Sequence, residues 1–150
     1  MTAIALDALA LAELAAGRLH DDGLGGAQVY GALDAVPERG AARNTLVLVL
    51  PATEAGDANR ADHGVVQRMT LTISVAIAVR ASNDARGRRA LAGLRRPRDA
   101  VKGLLAGWRP EGAATALAHL RGQLSEIADG RAWWQDDYAL DAWVQRPESS

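Results

Sequence analysis

Residues 68–80 read RMTLTISVAIAVR, and apolar positions alternate there with polar or small ones without a break. Met69, Leu71, Ile73, Val75, Ile77 and Val79 share one parity, and Arg68, Thr70, Thr72, Ser74, Ala76, Ala78 and Arg80 share the other. Strand side chains point to opposite faces in turn, so this period of two predicts a long strand with one core face and one polar or small face. Thirteen residues extend about 43 Å, longer than the usual strand. The small face suits close approach of another layer or subunit.

The remaining elements arrange themselves around that strand. Residues 3–19 favour a helix by composition, with Thr2 as the expected N-cap. Ile4, Ala8, Leu11 and Ala15 form one stripe and Leu6 and Leu9 lie opposite it, a helix apolar on two sides. AQVYGAL reads as a short strand, and NTLVLVLP (44–51) as a buried strand closed by Pro51. ATEAGDANRADHG, which follows, reads as a loop of about a dozen residues. Asn83 and Asp84 can cap a helix whose seam is Leu91, Leu94, Val101, Leu105 and Trp108, with Pro97 set to kink or split it. Residues 113–128 carry helical spacing, but Asp129-Gly130 is a hairpin signal that requires an antiparallel partner before it. Beyond that turn Trp134, Tyr138, Leu140 and Val144 share one parity, and Gln135, Asp137 and Asp141 the other. The expected fold is α+β. A single layer of mostly antiparallel sheet, about five strands, packs on two main helices in one domain spanning 1–150.

The chain has no Cys, so disulfides, thiolate metal sites and a cysteine nucleophile are excluded. Its formal net charge of −1 gives no global attraction to nucleic acid or an anionic membrane. The apolar N-terminus lacks the basic opening of a signal peptide, and Asp7 and Glu13 interrupt it. No segment approaches the roughly 18–20 apolar residues of a membrane span.

The aromatic and acidic stretch DGRAWWQDDYALDAW invites a glycosidase reading, which needs two carboxylates about 5–10 Å apart, one with a raised pKa. Strand parity sends Asp136 and Asp137 to opposite faces, leaving only Asp137 and Asp141 together. Trp134, Tyr138 and Leu140 are therefore expected in the core, with Trp133, Asp137 and Asp141 at the surface or a subunit contact. His20 beside Asp21 and Asp22, and His63 beside Asp62, lack any HxH or HExxH spacing, so no metal, cofactor or catalytic residue is assigned. The basic run from Arg86 to Lys102 is the best case for a partner. Its cations avoid the helical seam except Arg98, so a solvated helix face competes with contact to nucleic acid or to an acidic protein.

NDARGRRALAGLRRPRDAVKGLLAGWRPEG followed by LRGQLSEIADGRAWWQDDYALDAWV resembles the tail terminator proteins of long-tailed phages and prophages, over about residues 43–146. The most distinctive pieces are Leu-Leu-Ala-Gly-Trp-Arg-Pro at 104–110 and the Asp-Gly turn leading into Trp-Trp-Gln-Asp-Asp-Tyr. The resemblance implies a non-enzymatic virion protein of the tail or neck, assembled in the host bacterial cytoplasm. Its partners would be copies of itself in a hexameric ring, the tail tube protein, and the head–tail connector or neck protein. It implies no membrane contact and no direct nucleic-acid binding. A ring needs complementary opposite patches, and the basic helix and acidic hairpin are candidates. Expected interface residues are Arg68, Arg80, Arg88, Arg95, Arg96, Trp133, Asp137 and Asp141. The alternative is a soluble binding module that uses the basic helix 84–108 on nucleic acid or an acidic partner.

Overall fold

The computed structural model describes residues 6–21, 24, 27–34, 45–80, 88–128 and 131–147. The elements are α1 (Ala8–Asp21), β1 (Gln28–Tyr30), β2 (Thr45–Gly56), β3 (Val65–Arg80), α2 (Arg88–Gly93), α3 (Arg95–Leu105), β4 (Ala118–Ala128) and β5 (Arg131–Arg146). They form one five-stranded sheet in the order β1-β2-β3-β5-β4, antiparallel except for the β1–β2 pair. This is the expected α+β class.

The alternating strand is β3, and it lies at the centre of the sheet. Leu71, Ile73, Val75 and Ile77 are buried under the helices with Val47 and Val49 of β2 and Tyr138 and Leu140 of β5. From the helix side, Leu11, Ala15 and Leu19 of α1 and Leu94, Val101 and Leu105 of the α2–α3 pair complete that core. Leu91, expected in the seam, is 38% exposed because α2 and α3 are separate helices and a single wheel does not run through both. The break follows from Pro97. It stands in the first turn of α3, where a backbone N–H has no intrahelical acceptor, and the first closing bond runs from Arg98 N–H to Leu94 C=O at 3.0 Å.

α1 begins later than its composition suggests. The Asp7 carboxylate accepts the Ala10 N–H at 2.7 Å, so the residue that interrupts the apolar run is the N-cap. Leu6 precedes this cap and packs on the core cluster that contains Leu11, the N′-to-N4 placement of a hydrophobic staple. It therefore does not lie on the opposite face. The outward apolar side is instead carried by Leu9 and Leu14, both exposed. Thr2, Asn83, Asp84 and the Asp129-Gly130 turn lie outside the described residues, although β4 and β5 pair as the hairpin requires.

The largest departure is β2. Pro51 does not close it: a register shift between Pro51 and Thr53 absorbs the proline, and pairing continues to Gly56 opposite Met69. Most of the expected loop is thus strand, because the long β3 supplies a ladder that outweighs the weak strand preference of Ala, Glu and Gly. β1 covers only Leu46–Leu48 of β2, and β4 reaches only Ala139 of β5. A bridge from Ala113 to Ala142 continues the cover of β5, and beyond it β2, β3 and β5 run on as a three-stranded arm. Asn59 organises its tip. The Asn59 side-chain oxygen accepts the Ala61 and Val66 N–H groups at 3.1 and 2.8 Å, and its amide donates to Gly64 C=O at 2.9 Å.

Candidate functional site

The two sides of β5 hold the chain's most organised polar groups. On the helix side, Asp136 is fully buried and accepts hydrogen bonds from Arg98 Nε at 3.0 Å, Arg98 Nη2 at 2.9 Å and Trp134 Nε1 at 3.0 Å. His119 Nε2 lies 2.9 Å from the same carboxylate. The Arg98 guanidinium also stacks over the Trp134 ring, 4.1 Å from its centroid. Backbone from β4 makes room for this cluster. A Cβ at Gly122 would stand 2.8 Å from Trp134 Nε1 and 2.9 Å from Arg98 Nη2, and closer still to Asp136 Oδ1. Burial pushes the Asp136 carboxyl up, but the hydrogen bonds from Arg98, His119 and Trp134 together outweigh it and hold the group below its ordinary range. Beside it, burial drives the Tyr138 phenol far above its usual range, with the Asp136 charge adding to the shift.

On the opposite, helix-free side, Asp137 accepts from Ser74 Oγ at 2.7 Å, Arg121 Nε at 2.8 Å and Gln135 Nε2 at 3.1 Å. Burial again opposes ionisation, and these hydrogen bonds again prevail, so this carboxyl too is held low. Further along, Asp141 accepts from Arg68 Nε at 2.7 Å and from Thr70 Oγ1 at 2.8 Å. Trp143 sits beneath the Arg60 and Arg68 guanidinium groups, 5.3 and 6.0 Å from the ring centroid. The other half of this face is apolar: Leu46 and Ala78 are buried against Tyr30 and Trp133.

The expected parity of Asp136 and Asp137 is thus observed. Asp137 is nevertheless 3% exposed rather than at the surface, because neighbouring polar side chains cover it. Trp133 is half-buried in the small apolar cluster, and Arg68 is tied to Asp141. Arg80, Arg88, Arg95 and Arg96 are exposed. The structure does not bring the basic helices and the acidic strand together as free, opposed charge patches, since Asp136, Asp137 and Asp141 are each paired within the subunit. Sequence reading missed Arg98 and His119 as partners of Asp136. The available signal was that Arg98 alone of the cations falls on the α3 seam.

Neither central carboxyl has the raised pKa a general acid needs, and among the described residues no group of His, Asp and Glu could hold a metal ion. The geometry is that of a structural subunit: the buried carboxylates are paired, one sheet face carries no helix among the described residues, and an arm extends from the sheet. The chain belongs to the phage tail terminator protein family, whose model matches residues 1–148. The match takes in the N-terminal forty residues, which had contributed little to the resemblance. Among solved structures, a chain of the "Virion of native gene transfer agent (GTA) particle" shares the fold, with a TM-score of 0.52. It is 20% identical, and the similarity covers 91% of this chain and 95% of that one. No curated protein matches the chain. The protein is accordingly a structural component of a phage-type virion tail, not an enzyme.

Proposed function

We propose that the chain closes into a ring, usually hexameric, on the last layer of a tail tube. There it ends tube growth and presents the docking surface for the head connector. The family supports this reading. The observation that carries it is a sheet whose described helices all lie on one face, with an arm extending past both edge strands. A subunit that must meet two ring neighbours and two axial partners needs more contact surface than a free monomer keeps exposed. The tip of the arm, residues 57–60, suits an axial contact. From Pro51 to Arg60 every residue is exposed, yet hydrogen bonds from Asp57 N–H to Arg68 C=O and from Arg60 N–H to Val66 C=O keep it ordered. In this reading the exposed Arg80, Arg88, Arg95 and Arg96 serve protein contacts with acidic groups on a neighbour.

The test is localisation. Purified protein carrying a C-terminal gold-binding tag is mixed with tubes polymerised from the tail tube protein of the same particle and viewed by electron microscopy. Label confined to one tube end is the expected result. Label scattered along the tube walls, or none, refutes the reading.

A further inference from the structure

The two edges of the sheet are unlike, and they complement each other. Among the described residues β4 has one strand neighbour, β5, and its 11-residue outer edge is unpaired. Leu120, Leu124 and Ile127 stand exposed along it, at 56%, 43% and 43%. Leu124 and Ile127 are level with Trp134 and Ala132, so they point to the helix side of the sheet. At the other edge β1 covers three residues of β2, and among the described residues no strand pairs with the outer side of residues 50–56. Here, again on the helix side, an open groove runs between the N-terminus of α1 and β2, its walls mixing Leu9, Pro51 and Ala52 with the polar Asp7, Thr53 and Glu54. Leu9, 41% exposed, forms its apolar wall.

We infer that the occupant of this groove is a second copy of the chain, the β4 edge of one subunit pairing with the free part of β2 in the next. This rests on the ring reading above and names its interface. Strand direction supports it. β2, β3, β5 and β4 are antiparallel in succession, so β4 runs opposite to β2. Copies related by rotation about an axis roughly along the strands therefore meet as an antiparallel pair, the better-bonded ladder. The faces agree as well, because Leu124, Ile127 and the α1–β2 groove lie on the same side of the continued sheet. The levels differ in the sense a closed sheet requires: β4 lies level with Thr72–Arg80 of β3, and the free part of β2 with Met69–Ser74. A stagger of about four to five residues across the four strands β2, β3, β5 and β4 corresponds to a tilt of roughly 38°, within the range of closed barrels. Open apolar edges are an aggregation hazard, and pairing them around a ring removes the hazard.

The chain contains no cysteine, so introduced pairs report proximity without background. Variants carrying one cysteine at Leu124 or Ile127 and one at Leu9 or Ala52 are assembled on tail tubes of the same particle and oxidised. At least one pair is expected to give a covalent ladder ending at the ring, with no ladder from single-cysteine chains. A control pair at Leu14 and Leu48 tests stacking of helix layer on sheet face instead. A ladder from the control alone, or from no pair while microscopy still shows a ring, overturns the edge contact and leaves the ring standing. No ring on any tube overturns both. Independently, Leu124→Lys with Ile127→Lys alters only exposed side chains and should leave the monomer folded. Tube-end occupancy should fall about tenfold or more; unchanged occupancy overturns the proposal.

Discussion

Replacing Asp136 by Asn removes the negative charge from a carboxylate that is fully buried while leaving its shape. The carboxylate accepts both nitrogens of Arg98 and the Trp134 indole N–H, at 2.9–3.0 Å. An amide turns one acceptor oxygen into a donor, so at least one of these donors faces another donor. Removing one partner of a buried pair typically costs about 3–5 kcal/mol, because the remaining charge stays desolvated. Arg98 keeps 23% of its side chain in solvent, which lets water recover part of that loss. The expected destabilisation is therefore about 2–3 kcal/mol. For a chain of this size that lowers Tm by roughly 5–10 °C. Urea unfolding followed by circular dichroism reads it as a fall in midpoint at constant m. The cycle is completed with Arg98→Met and with Arg98→Met combined with Asp136→Asn. The double variant should be more stable than the two single losses add up to. An Asp136→Asn midpoint within about 0.5 kcal/mol of the parent would refute the reading. So would simple additivity in the cycle.

Three further predictions follow from the same geometry. Asp136 and Asp137 both have carboxyls held below their ordinary range in the folded state. Their contribution is thus complete above about pH 4, the unfolded value, and is lost as pH falls through the folded one. Acid titration of stability should show this loss, and Asp136→Asn should show less of it. Gly122→Ala places a methyl group among Asp136, Trp134 and Arg98 and should cost about 1–3 kcal/mol, with a changed near-ultraviolet signal from Trp134. Gly17→Ala should instead stabilise the monomer by roughly 0.8–1 kcal/mol in thermal unfolding, since Gly17 lies inside α1 and a Cβ there meets nothing within 4 Å.

The sequence made the framework of this fold legible where the pattern was long and regular. Thirteen alternating positions sufficed for β3, and the parity after the Asp-Gly turn placed Tyr138 and Leu140 inside and separated Asp136 from Asp137. Local chemistry under-determined the rest. Asp7 looks like an interruption of an apolar run until the chain direction at Leu6 is known, and only then is it a cap. Ala52–Gly56 has no strand pattern of its own and is strand because β3 lies beside it. The cluster around Asp136 draws Arg98 from α3, His119 from β4 and Trp134 from β5, elements whose proximity depends on sheet order. Sheet order was not readable from the sequence, whereas the pairing of β4 with β5 was, since the Asp129-Gly130 hairpin signal called for an antiparallel partner.

The central claim concerns termination, and tube length measures it directly. Tail tube protein of the same particle is polymerised with and without this chain, and tube lengths are measured by electron microscopy. Tubes grown with the chain should stop growing once it is added and carry a ring at one end, while tubes without it continue to lengthen. Tubes that lengthen equally in both conditions would contradict the account.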